Sequence, residues 1–371
     1  MGKVIQLKRK ISTGSILLLA AAIILAAAFA FANRASIVDG FSSSSSAEAM
    51  SLDSSVTYKF KKFDGGLAVC GSDLLATVQP SGGAGWTVAL NSKNYMIAAE
   101  GNYVLAFETG GRKISLFSDG KEVFRIETEN DIITANVSRS GVVAVATKEK
   151  GFRSQVLVYK PSGEQIYEWH SVNYYVVDIA VTSSAMAVAG LNSDDASSMS
   201  YILLFSFNSS DYKTVNGGND NLVGTIKYID DGVLAVGDRE CTYIKKNGEI
   251  AWSISYGGRT LQGFTVTDGG HTALALTKSS MEGYFGGSVI EVYSKNGKTR
   301  GSFETGGQIN YIDTDGGRIL VNTETGAEIL NGRGETLKSV SFPRNPRECF
   351  LTEGGKKIFM IAGNKIEVMG L

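Results

Sequence analysis

The sequence predicts an all-β fold: an eight-bladed β-propeller of four-stranded antiparallel blades, or seven blades if a terminal unit is incomplete. Three observations predict it. Fifteen Tyr, seventeen Phe and abundant Val, Ile and Thr give a β-rich profile, while 44 Gly against four Pro mark many tight turns. An acidic or polar turn with Gly recurs at intervals of roughly 35 to 48 residues, and four strands at a period near forty is the signature of propeller blades. No helical periodicity rises above the background after residue 34.

The elements follow in order. Residues 1–10 form a basic tail with Lys3, Lys8, Arg9 and Lys10. Ile11–Asn33 is an uncharged run long enough to cross a hydrocarbon core as one transmembrane helix. Lys and Arg near a span set its orientation, so the tail is expected in the cytoplasm and the rest of the chain outside a cell membrane crossed once. Ala28-Phe29-Ala30 and Ala30-Phe31-Ala32 fit a signal-peptidase site. However, the run exceeds the usual apolar core of a cleaved signal and lacks a polar segment before the cut, which favours a retained anchor. Residues 34–55 contain Ser42-Ser43-Ser44-Ser45-Ser46 and read as a flexible tether.

Residues 56–371 carry the repeat. The first turn of each unit appears at Asp64-Gly65-Gly66, Glu100-Gly101, Ser140-Gly141, Ser183-Ser184, Asp231-Gly232, Asp268-Gly269-Gly270, Asp315-Gly316-Gly317 and Glu353-Gly354-Gly355. A strand rich in small residues follows each one, such as Val142-Val143-Ala144-Val145-Ala146, suited to lie between neighbouring sheets. The third strand alternates, and a hairpin turn leads to the fourth: Asp119-Gly120, Ser162-Gly163, Asn247-Gly248, Asn296-Gly297. Asp-Gly and Asn-Gly supply the positive φ angles that such turns require. The last unit stops at Leu371 after its third strand. A ring must join its ends to remove both terminal edges, so Ala47–Asp53 is expected to supply the missing outer strand.

A net charge of −1 argues against nucleic acid, which demands a basic face. Cys70, Cys241 and Cys349 show neither CxxC nor metal-ligand spacing. They are expected as buried small hydrophobes, with a Cys70–Cys349 bridge closing the ring as the alternative.

The turn-strand layout, with Trp86, Trp169 and Trp252 on fourth strands, resembles the quinoprotein-like (PQQ-type) β-propeller repeat. That group includes quinone-dependent alcohol dehydrogenases and the bacterial outer-membrane-assembly lipoprotein. The whole layout of basic tail, span, Ser-rich tether and divergent propeller resembles a family of uncharacterised membrane-anchored propeller proteins of Gram-positive bacteria. Only three units carry Trp, a departure from the full tryptophan-docking pattern; packing between blades is the expected role of these rings.

Catalytic and metal chemistry find little support. His170 and His271 fall in different units, and no GxSxG, HExxH or phosphate-loop sequence appears. Asp194-Asp195 and the segment Asn216 to Asn221 are oxygen-rich but lack the spaced carboxylates of a calcium loop. No catalytic residue, metal ligand or cofactor is assigned. A quinoprotein-like enzyme would need a channel-bound cofactor or metal, and that remains the alternative reading.

Strand alternation puts the second-to-third loops and the blade-to-blade connections on one face. Functional residues concentrate on loops held by a rigid scaffold. The loops Thr147 to Ser154, Gly190 to Ser200 and Thr277 to Ser288 are long and offer Phe152, Met199, Met281, Tyr284 and Phe285. The connections add Tyr95, Tyr174, Tyr175, Tyr256 and Arg259, and Tyr and Arg are enriched in interface hot spots. The expected function is a non-enzymatic binding or assembly scaffold at the cell envelope. Its partners would be the lipid bilayer through Ile11–Asn33 and an envelope protein, peptide or glycan.

Overall fold

A computed structural model describes residues 46–90, 94–192, 199–218, 220–278, 286–324, 326–342 and 344–371. The expected transmembrane segment Ile11–Asn33 lies outside these residues. Among the described residues no helix is long and apolar enough to cross a membrane.

Thirty-two strands form eight four-stranded antiparallel sheets, which is the eight-bladed ring that the turn spacing predicts. The innermost strands are Lys59–Phe63, Tyr95–Glu100, Ile132–Val137, Tyr175–Val181, Val223–Ile229, Leu261–Val266, Ile309–Asp315 and Glu348–Thr352, for blades 1 to 8 in turn. Each second strand is covered on both faces by neighbouring blades, so its burial does not alternate: Gly66–Cys70 and Val143–Thr147 are buried throughout. Fourth strands face solvent on one side and alternate, as in Ala84–Ala89. Eight hydrophobic clusters form the core, one at each blade junction.

The ring closes as expected. Ala47–Ser51 is the outer strand of blade 8, pairing antiparallel with Lys365–Gly370. The Leu52 amide donates to the Asn364 carbonyl at 2.7 Å, and the Leu52 side chain enters the cluster between blades 8 and 1 with Phe60, Phe350 and Ile366. Lys365 and Glu48 pair across the seam. The ring therefore begins inside the stretch whose composition reads as tether.

The hairpin turns are of two kinds. Asp119 and Gly120 both take positive φ, at 50° and 75°, giving the two-residue turn expected of Asp-Gly. At Asn247-Gly248 and Asn296-Gly297 only the glycine does so. There the Gly amide bonds back three residues, to Lys245 and to Ser294, so these are longer turns with one left-handed position. The three cysteines are free and buried, and no bridge joins Cys70 to Cys349. Cys70 lies between blades 1 and 2, Cys241 between blades 5 and 6, and Cys349 between blades 7 and 8.

The tryptophans pack between blades. A Cβ built on Gly120 of blade 2 would stand 2.8 Å from Trp86 Cβ of blade 1, and one on Gly297 of blade 6 would stand 2.6 Å from Trp252 Cγ of blade 5. The Trp252 indole N–H donates to the Lys295 carbonyl at 2.9 Å. Each of these glycines thus provides both the turn and the space for the preceding blade's ring.

Candidate docking face

Blades 3 and 4 gather the main surface cluster on the loop-rich face. Two side-chain hydroxyls fix its backbone. Ser171 Oγ donates to the Tyr174 carbonyl at 2.7 Å and accepts from the Tyr174 amide at 2.9 Å, which sets the turn between the blades. Ser154 Oγ accepts from the Val176 amide at 3.1 Å, tying the next inner strand to blade 3. The Arg153 amide donates to the Ser171 carbonyl at 2.7 Å, so loop and connection lie side by side.

The side chains form two neighbouring groups, one around Arg153 and Tyr175 and one around Tyr174 and Tyr201. The Phe152 ring lies 5.0 Å from the His170 imidazole and is 40% exposed. Arg153 places its guanidinium 4.9 Å from the centre of the Tyr175 ring and donates to the Tyr175 hydroxyl. Tyr174 meets Tyr201 edge-on at 5.3 Å, and the Tyr201 hydroxyl donates to Met199 Sδ at 3.8 Å. His170 Nδ1 faces Glu149 at 2.6 Å and Nε2 faces Glu168 at 3.0 Å, which fixes the ring beneath Phe152. Three of the ten exposed large apolar side chains among the described residues fall in this sector: Phe152, Val172 and Tyr175. Scattered apolar residues need no explanation, but a contiguous patch does.

The structure thus places Phe152 and Tyr175 exposed beside Arg153, and sets Tyr174 half-buried against the blade 3–4 core, where Tyr201 links it to Met199. Tyr95 and Tyr256 are placed elsewhere. Each begins or precedes an inner strand, and the adjoining blade covers it, leaving 9% and 0% exposure within junction clusters. Neither ring is available to a docked partner. Arg259 is half-buried and committed: two of its nitrogens bond Glu291 at 2.7 and 3.1 Å, and Nε bonds the Tyr256 carbonyl at 2.8 Å. Burial pushes the Glu291 carboxyl up, and the hydrogen bonds from Arg259 and Tyr293 overcome it and hold the group below the usual range. Met281, Tyr284 and Phe285 lie outside the described residues, as do Asp194 and Asp195. Asn221 is a structural peg, donating to the Gly217 carbonyl and accepting from the Arg239 and Glu240 amides.

The central channel is lined by inner-strand residues and holds cavities of about 920 and 790 Å³ that share Lys61, Glu100, Arg139, Lys227 and Phe264. Its buried carboxylates bind backbone of the next blade. Asp178 Oδ2 accepts from the Ile226 amide at 2.9 Å, and Asp313 Oδ2 accepts from the Leu351 amide at 2.8 Å and pairs with Lys62 at 2.7 Å. Burial raises the Asp178 carboxyl to about 6 against these amide bonds. Among the described residues no three His, Cys, Asp or Glu side chains are grouped to hold a metal ion.

Residues 38–371 match the model of a family of unknown function, DUF5711. The chain belongs to that family. No curated protein matches the sequence. Solved structures match the DUF5711 ring over most of their length. BamB from Moraxella catarrhalis is 13% identical, covering 89% of this chain and 97% of that one at a TM-score of 0.57. The C-terminal WD40 domain of Sif2 is 9% identical, covering 88% and 98% at 0.60. A eukaryotic initiation factor is 11% identical, covering 85% of each chain at 0.55. At such identities the likeness is one of fold.

Sequence reasoning missed Arg153 and Val172 in this DUF5711 chain. A signal for Arg153 was present: a cation next to Phe152 in a long loop, facing a Tyr-Tyr pair in the following connection.

Proposed function

We propose that this chain is a membrane-anchored, extracytoplasmic propeller that acts as a non-enzymatic docking scaffold at the cell envelope. The blade 3–4 sector of its loop-rich face receives a protein or peptide partner. One observation carries the reading: Phe152 and Tyr175 stand exposed on either side of Arg153, on a backbone that hydrogen bonds between loop and connection already fix. Pre-ordered aromatic and Arg side chains lose little entropy on binding, and they are the types that dominate interface energetics. The basic tail and the uncharged run Ile11–Asn33 support the anchor and its orientation.

The test is capture from intact cells by the full chain and by a Phe152→Ser, Tyr175→Ser double variant. Truncated hot spots cost about 2 kcal/mol each, or roughly 30-fold in affinity apiece. The double variant should therefore release a partner that the wild type retains. Undiminished capture would remove the sector from the binding surface. Protease added outside the cells should degrade residues 56–371 and spare the tail; protection of the propeller would refute the orientation.

A further inference from the structure

His170 lies on the fourth strand of blade 3, Gln165–Ser171, beside the tip of the docking loop. That tip is a turn from Glu149 to Phe152: the Phe152 amide donates to the Glu149 carbonyl at 3.4 Å, and Gly151 takes φ 88°. A Cβ built on Gly151 would meet nothing within 4 Å, so the turn stands clear of the blade at that point. Both ends of the turn rest on the imidazole. The Glu149 carboxylate lies 2.6 Å from Nδ1, and the Phe152 ring centre lies 5.0 Å from the imidazole centre. On the opposite edge Nε2 lies 3.0 Å from Glu168 Oε1, which also accepts from Gln155 Nε2 at 2.8 Å. Gln155 is buried and accepts from the Thr147 hydroxyl at 2.9 Å, so Glu168 is tied to the body of the blade.

Carboxylate oxygens thus face both ring nitrogens, and the two contacts need two donors. An ionised carboxylate only accepts; a neutral imidazole has one N–H, and the imidazolium has two. Histidine is the side chain type that makes this change between pH 5 and 8. The other charged groups of the adjoining segments are engaged elsewhere or point outward. Lys148 pairs with Asp131 at 3.6 Å, Asp131 also meets Arg112 at 3.9 Å, and Arg153 is engaged with Tyr175. Lys150 is exposed on the turn.

We propose that His170 is a protonation-dependent latch on the docking loop. Charged, the imidazole donates to Glu149 and Glu168 together, ties the turn to the blade and presents Phe152. Neutral, one of its nitrogens sets a lone pair against a carboxylate oxygen, and the turn loses that tie. The loop is therefore held at lower pH and freed as pH rises through the histidine range. The consequence for partner capture rests on the docking reading above; the latch itself belongs to the free chain.

The test is hydrogen exchange of the full chain at pH 6 and at pH 8, read by mass spectrometry on peptides that carry the hydrogen-bonded Phe152 and Arg153 amides. Each wild-type rate is divided by that of His170→Gln at the same pH, because the Gln amide does not titrate and the ratio cancels the intrinsic pH dependence of exchange. Peptides over the hairpin turn at Ser162-Gly163 report whether the blade stays folded in the variant. Wild type should exchange at least threefold more slowly than His170→Gln at pH 6, the scale of an exposed ion pair, and at the same rate at pH 8. Equal rates at pH 6 would overturn the proposal. So would the same ratio at both pH values, which would leave His170 a purely structural part. Partner capture from intact cells should be at least threefold stronger at pH 6 than at pH 8 in wild type and pH-independent in His170→Gln. The expected exchange pattern without any captured partner would uphold the latch and remove the docking reading alone.

Discussion

Leu52→Ala probes the closure of the ring at a single side chain. Leu52 follows the closing strand, is 8% exposed, and packs with Phe60, Phe350, Ile366 and Val368 between the last blade and the first. Truncating a buried leucine costs about 2–5 kcal/mol, part transfer and part cavity. Leu52 borders the seam, where the surroundings relax more easily than in a deep core, so about 3 kcal/mol is expected. For a domain of this size each kcal/mol shifts the Tm by roughly 2 °C, so the variant should melt about 6 °C below wild type. The assay is differential scanning calorimetry of the full chain. Deleting Ala47–Ser51 should lower the Tm further and promote self-association, because it bares the edge of Lys365–Gly370. Leu337→Ser on an exposed outer strand, at 54% exposure, serves as the control with no change. A Leu52→Ala melt within about 1 °C of wild type would refute the closure argument.

Other outcomes follow from the same packing. Folding favours the protonated Asp178 carboxyl, whose value rises to about 6 on burial. The stability this contributes is complete below the unfolded carboxylate value near 4 and is lost as pH rises through about 6. Wild type should therefore lose about 2–3 kcal/mol relative to Asp178→Asn between about pH 4 and pH 7.5 in urea melts; parallel curves would contradict the burial of that charge. Gly297→Ala forces a methyl against Trp252 as well as a left-handed backbone, and should destabilise more than Gly110→Ala, which has φ +76° but open space. Equal losses would show that the Trp contact yields freely. Burial pushes the Cys70 thiol up to about 12, and Cys241 and Cys349 are pushed up as well, so native protein should resist thiol reagents that react fully after denaturation.

The ring was legible in the sequence because turn chemistry is local. Acidic-Gly pairs mark six of the eight first turns and serines mark the other two, and the missing fourth strand of the last unit points to a donor near Ala47. Side-chain depth was less legible. Tyr95 and Tyr256 occupy connection positions that suggest exposure, yet the adjoining blade buries them, which depends on contacts far away in sequence. Arg259 reads as a hot-spot cation until Glu291, in another strand of the same blade, is seen to hold it. Phe152, Tyr174 and Tyr175 were legible because loop length and aromatic content coincide at neighbouring connections.

A photoreactive amino acid placed at Tyr175 in intact cells, compared with one at Leu337 on the outer rim, tests the docking claim most directly. A discrete crosslinked species is expected at Tyr175, absent at Leu337 and lost when Phe152 is also changed to Ser. Crosslinks equally frequent at both positions, or unaffected by Phe152→Ser, would contradict it.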